Sequence, residues 1–208
     1  MAHWLTYTAA AVLFMGVGAL ISGLSVHYAT TATSNGGNEL NQQTLGDERR
    51  HAKCLLAPSD IGGNIAGTIF FTQETENSEV MVTGNITGLS VGKHGFHIHT
   101  YGVTGGNCGE AAGHYNPDNF THGAPASPER HVGDLGNIES FSDATGEGTA
   151  VVHIIDKVIS LHGAHSILGR AVMVHKGEDD LGKGDNPDSL ITGNAGPRLA
   201  CCTIFIAP

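Results

Sequence analysis

The sequence predicts an all-β domain, a sandwich or a barrel, on three observations. β-Branched and apolar residues fall in short runs that end in Gly, Asn or Asp. No window carries an apolar stripe of useful length at helical spacing. Glycine supplies 30 of 208 residues, about twice its usual ~7% share, and charged residues only 14%. That balance excludes a coiled coil or a long helical bundle, and an apolar content of 40% excludes a disordered chain.

The first element is a targeting segment. Residues 4–26 carry no charge, residues 9–24 are almost continuously apolar, and the first charged side chain is Glu39. Residues 1–32 are therefore expected to be a signal peptide or a signal anchor. Thr30-Thr31-Ala32 offers a small-residue cleavage site, and the apolar run is also long enough to span a bilayer. Either outcome places the rest outside the cytosol, secreted in the first case and membrane-anchored in the second. Residues 33–50 are polar without periodicity and form a linker. The globular domain is expected over residues 51–208.

Within it, strand-like runs occupy residues 53–57, 64–73, 79–87, 95–100, 148–155, 170–175 and 200–207. Residues 101–140 and 175–198 break the spacing, being rich in Gly, Pro, Asn and Asp. Structureless loops of that length inside a compact domain are usually functional. The 10 basic residues against 20 acidic exclude a nucleic-acid backbone as partner, since phosphate binding needs surplus Lys and Arg. Leaving aside Glu39, Asp47, Glu48, Arg49 and Arg50 moves the net charge only from −10 to −9.

Thirteen histidines are too many for packing alone. His97 and His99 are two apart in a strand-like run, so both rings leave the same face and can grip one ion. The first long loop adds His114, His122, His131 and Asp134, and His175 closes the strand before the second loop. Imidazoles suit copper and zinc, and a carboxylate among them suits tetrahedral zinc. Seven donors overfill one four-coordinate site and suit two. His51, His153, His162 and His165 read as solvated surface residues.

The segments GFHIH (95–99), GHYNP (113–117), ERHVGDLGN (129–137), DDLGKG (179–184) and GNAGPRLAC (193–201) resemble the copper/zinc superoxide dismutase family in order and spacing. The resemblance implies a Greek-key β-sandwich, or flattened eight-stranded barrel, with a long metal-binding loop and a long active-site rim loop. It implies one copper per subunit on His97, His99, His114 and His175, and one zinc on His114, His122, His131 and Asp134. His114 would then serve both ions and take part in catalysis. Asp179 aligns with a carboxylate that accepts hydrogen bonds from one copper and one zinc histidine. Arg198 aligns with the catalytic residue that guides the superoxide anion, and Thr192 with a residue lining its channel. Ile191 stands where some members carry lysine, so weaker electrostatic steering is expected, with Lys183 as a more distant aid.

The resemblance further implies a Cys108–Cys201 disulfide and a homodimer. Cys54 and Cys202 are then left over, and two readings stay open: buried thiols, or a second disulfide suited to an oxidising compartment. Asn85-Ile86-Thr87 and Asn119-Phe120-Thr121 are N-glycosylation sequons, of which Asn85 is the better candidate because Asn119 lies between metal ligands. The expected activity is dismutation of superoxide. The alternative is a non-catalytic copper-binding or copper-transfer module on the same scaffold.

Overall fold

A computed structural model describes residues 49–142 and 147–208 of the chain. The signal segment and nearly all of the linker lie outside the described residues, and the sheet begins at Arg50, one residue before the expected domain start. No helix among the described residues is long and apolar enough to cross a membrane.

Among the described residues nine strands follow in order: β1 (Arg50–Pro58), β2 (Ala66–Gln73), β3 (Val80–Leu89), β4 (Gly92–His99), β5 (Asp134–Ser142), β6 (Gly148–Asp156), β7 (Ala171–His175), β8 (Arg198–Thr203) and β9 (Phe205–Ala207). Their order in the sheet is β2-β3-β6-β5-β4-β7-β8-β1-β9, and a further β1–β2 pairing closes the first eight into an antiparallel barrel. Strands β4, β5 and β6 are sequential neighbours, while β7 returns beside β4 and β3 lies beside β6; these are Greek-key connections. The only helical pieces among the described residues are a 3-10 turn at Cys108–Ala111 and one turn of helix, α1, at Ser189–Thr192.

Alternation decides what each strand buries. In β2, Ile69 and Phe71 enter the core while Phe70 faces out; in β3, Val80, Val82 and Ile86 enter while Met81 and Asn85 face out. β4 and β7 break the pattern. Every residue from His94 to His99 and from Ala171 to His175 is buried. Phe96, Ile98, Val172 and Val174 join the main core, and the opposite faces lie beneath the two long loops. A smaller apolar cluster of Cys108, Ala111, Ala171, Met173 and Cys201 seats the first loop on that outer face.

Adjacent cysteines use the same period of two. Cys201 pairs with Cys108 in the outer cluster, and Cys202 pairs with Cys54 in the main core. The second bond spans the barrel seam: β1 pairs with β8 only at Ala57 and Pro58 and with β9 only at His51–Lys53, leaving Cys54 between the two short ladders. Of the two readings left open for Cys54 and Cys202, the structure selects the disulfide.

Three sequence expectations are corrected. β5 overlaps the region read as loop; its start, Asp134, belongs to a histidine-rich loop, and near its end Ser140 is buried while Phe141 faces out, so the usual apolar-in, polar-out alternation is absent there. The run 200–207 is two strands, because Ile204 turns into the core between them. His162 is buried rather than solvated, with 7% of its surface exposed.

Candidate metal centre

Strand pairing builds the site. Ile98 donates its backbone N–H to Gly133 O and accepts from Tyr115, and Thr100 donates to Gly113 O. These bonds lay the two ends of the first loop against β4. They set His114 opposite His99 and Asp134 opposite His97. The second loop is drawn in by Gly95 N–H donating to Gly177 O. Glycine is required at positions 95 and 193. A Cβ at Gly95 would stand 2.7 Å from the Ala195 methyl, and one at Gly193, where φ is +64°, would stand 1.9 Å from Asp179 Oδ1.

Hydrogen bonds then select which ring nitrogens stay bare. His99 Nδ1 donates to Ala112 O at 2.8 Å and His175 Nδ1 to Gly196 O at 2.9 Å, which leaves both Nε2 atoms free; they face each other at 3.3 Å. His97 Nε2 donates to Asp179 Oδ2 at 2.9 Å and His122 Nε2 to Asp179 Oδ1 at 2.8 Å, which leaves both Nδ1 atoms free. His97 Nδ1, His122 Nδ1 and His114 Nε2 are buried without a hydrogen-bond partner. Asp134 accepts at Oδ2 from the backbone N–H groups of Gly123 and His131. Its Oδ1 is thereby aimed at Nδ1 of His114, His122 and His131, at 2.8, 3.0 and 3.1 Å.

Two four-donor groups result. His97, His99, His114 and His175 form one; His114, His122, His131 and Asp134 form the other; within each the donor atoms lie within 4.8 Å of one another. Orphaned buried nitrogens converging on a point are what a cation satisfies, so the residues fit two metal ions that share the His114 ring. The all-imidazole group suits copper, and the group with a carboxylate suits zinc.

Burial, reinforced by the neighbouring ring of His114, pushes His97 down to about 3. Burial likewise takes His175 to about 4 and lowers His99 and His114. These rings are neutral ligands at neutral pH. His122 goes the other way: burial opposes its charge, but the carboxylates of Asp134 and Asp179 on its two sides outweigh it and raise it to about 9. Both carboxylates are held below their usual range, despite burial, by the histidines they accept from.

A cavity of about 220 Å³ opens beside the all-imidazole group, lined by His99, His114, His175, Thr192 and Arg198 among others. Arg198 is fixed by donating from Nη1 to Cys108 O at 2.7 Å and from Nη2 to Ala112 O. The Cys108–Cys201 bond therefore tethers the carbonyl on which this arginine rests.

The expected metal ligands, Asp179, Thr192 and Arg198 thus come together, while Asn85 and the Cys54–Cys202 pair lie elsewhere on the barrel. Sequence reasoning missed the groups that hold them. His94 donates from Nδ1 to the His175 carbonyl at 2.8 Å, pinning the backbone of a ligand. Asn137 makes two 2.8 Å bonds with the backbone of Asp179. Arg130 and Asp156 form a buried pair at 2.7 Å, and the guanidinium also donates to the carbonyls of Pro125, His131 and Val132. Asn137 and Arg130 lie within a quoted motif, but only the folded chain shows what they reach.

A closed antiparallel barrel with two buried donor groups joined through one imidazole, and an arginine over one of them, defines a binuclear metalloprotein. Residues 65–204 match the family described as copper/zinc superoxide dismutase (SODC), and the chain belongs to that family. It is 51% identical over 144 residues to the Cu-Zn superoxide dismutase of Cryptococcus neoformans var. grubii serotype A, covering 69% of this chain and 91% of that protein. It is 49% identical over 144 residues to that of Claviceps purpurea, with the same coverage, and 47% identical over 146 residues to Cu-Zn superoxide dismutase 5 of Dictyostelium discoideum, covering 70% and 93%.

Proposed function

We propose that this chain dismutes superoxide, converting two superoxide ions and two protons into dioxygen and hydrogen peroxide. One observation carries the proposal: buried, unpartnered ring nitrogens converge in two groups through one shared histidine. His97, His99, His114 and His175 would hold copper, and His114, His122, His131 and Asp134 zinc. Bound there, copper supplies a one-electron couple and zinc a redox-silent positive charge.

The chain's own residues do the remaining work. Arg198 keeps its charge at any working pH and retains N–H groups beyond those given to Cys108 and Ala112, so it can hold a small anion in the cavity. His114 lines the same cavity, and a proton held at its Nε2 lies beside that anion. Thr192 narrows the channel. Asp179 fixes the tautomers of His97 and His122 from one carboxylate, coupling the two groups mechanically. A copper-transfer module has no need of the Asp134 group or of a guanidinium in the cavity, so the enzymatic function is favoured.

Elemental analysis with superoxide decay tests this. Purified protein should carry copper and zinc and accelerate decay, and His114→Ala should alter the copper spectrum and lower the zinc content together. Copper-loaded protein that leaves superoxide untouched would overturn the proposal.

The proposal extends to location and assembly. A signal or anchor in residues 1–32 and a linker over 33–50 would place the domain outside the cytosol. Two disulfides support this, because such bonds persist in oxidising compartments. Asn85 is exposed on the outer face of β3 and would carry a glycan. Exposed Leu55, Phe205 and Ile206 on β1 and β9 support a homodimer through barrel faces. N-terminal sequencing and sedimentation of the native protein check these points.

A further inference from the structure

We propose that the site accepts medium-chain carboxylates, with the head group at Arg198 and the alkyl tail in an apolar cleft beside it. The inference rests on the anion site proposed at Arg198 and adds a second, apolar arm to it.

The cleft has a volume of about 360 Å³, within the usual range for small-molecule sites. Its outer walls are Phe120 from the first loop and Leu190 and Ile191 from α1, which expose 43%, 52% and 60% of their surface. The two loops are joined there, since His122 donates its backbone N–H to Leu190 O at 2.9 Å. Three large apolar side chains lining one concave surface form a binding feature rather than scattered exposure. No Asp, Glu, Lys or Arg lines the cleft.

The cleft and the Arg198 cavity adjoin, for Gly113, His114 and Thr192 line both. Arg198 is the one Lys or Arg among the lining residues of the pair. A ligand with a single negative head and a short alkyl tail matches that layout end to end. Asp188 also lines the cavity and repels a second negative charge, which selects a monoanion over a dianion. Ile191 contributes its apolar side chain, where a lysine would hydrate the cleft.

The test compares acetate, butyrate, hexanoate and octanoate on the full chain loaded with copper and zinc. Binding is read by ligand-observed NMR, with inhibition of superoxide decay as a parallel readout. Full burial of a methylene is worth about a fourfold gain, so partial burial in an open cleft should make octanoate bind about tenfold or more tighter than acetate. Replacing Leu190→Thr and Ile191→Thr together should bring octanoate down to the affinity of acetate without changing acetate binding. Phe120→Ser gives an independent check with a smaller loss. Equal affinities across the series, or a chain-length preference that survives the double substitution, would overturn the proposal. A preserved preference in protein that does not consume superoxide would instead overturn the catalytic function and leave this site standing.

Discussion

His114 is the residue on which most converges. Its two nitrogens face two different donor groups, and its pKa is lowered by burial, so it enters both as a neutral ring. The same burial has a cost in acid. In the unfolded chain these rings take up protons near 6.5, but folded His97 and His175 refuse them until about 3 and 4. The metal-free protein is therefore not penalised above about pH 6.5 and loses stability progressively as pH falls from there toward 3–4. His122 acts in the opposite sense, contributing fully below 6.5 and losing that contribution as pH rises through about 9. Four depressed rings outweigh one raised one on the acid side. Calorimetry of metal-free protein should show the melting temperature falling between pH 6.5 and 4, and a flat profile there would contradict the assignment.

At the scale of elements, two devices hold irregular chain against the barrel. Arg130 gathers three carbonyls of the first loop and anchors them to Asp156 at the end of β6, whose other oxygen accepts from the N–H groups of Val158 and Ile159. Removing one partner leaves an uncompensated buried charge, so Asp156→Ala should cost about 3–5 kcal/mol in denaturant unfolding. Because Arg130 precedes His131, the same change should weaken zinc retention; retention equal to the starting protein would show that the pair braces the fold alone. The Cys54–Cys202 bond holds the seam that β8 and β9 leave unpaired. Its removal by Cys54→Ala with Cys202→Ala should lower unfolding free energy by about 2–4 kcal/mol while copper and zinc content stay unchanged. Non-reducing peptide mapping should recover both disulfides as paired. Much of this scale was illegible beforehand. β5 hid because its first residue serves the site and its end reverses the pattern, with Ser140 buried and Phe141 exposed, and His162 hid because it lies in irregular chain, where burial leaves no periodic trace.

At the scale of the whole molecule, charge works against the substrate. The chain carries a net charge of −10, and the mouth offers Arg198 among Asp188, Thr192 and the apolar Ile191. Steering needs positive charge focused at the opening, and screening acts only where such steering exists. The rate of superoxide removal should therefore change by less than about twofold between low and high ionic strength, whereas Ile191→Lys should make it faster and more salt-sensitive. A steep fall with salt in the unmodified protein would show a focused field that these residues do not explain.

What the sequence determined by itself was chemistry and period: seven ligand-type side chains in a fixed order, a His-x-His pair that must share a strand face, and runs too short and glycine-rich for helices. These follow from residue type and from distances of two to four positions along the chain, which backbone geometry fixes locally. Only the tertiary structure decided which ring nitrogen stays bare, that the two histidines on Asp179 are His97 and His122, that Arg130 reaches Asp156, and which way each of two adjacent cysteines turns. Those outcomes depend on contacts between residues tens of positions apart, and long-range packing, not local propensity, brings such groups within hydrogen-bonding distance.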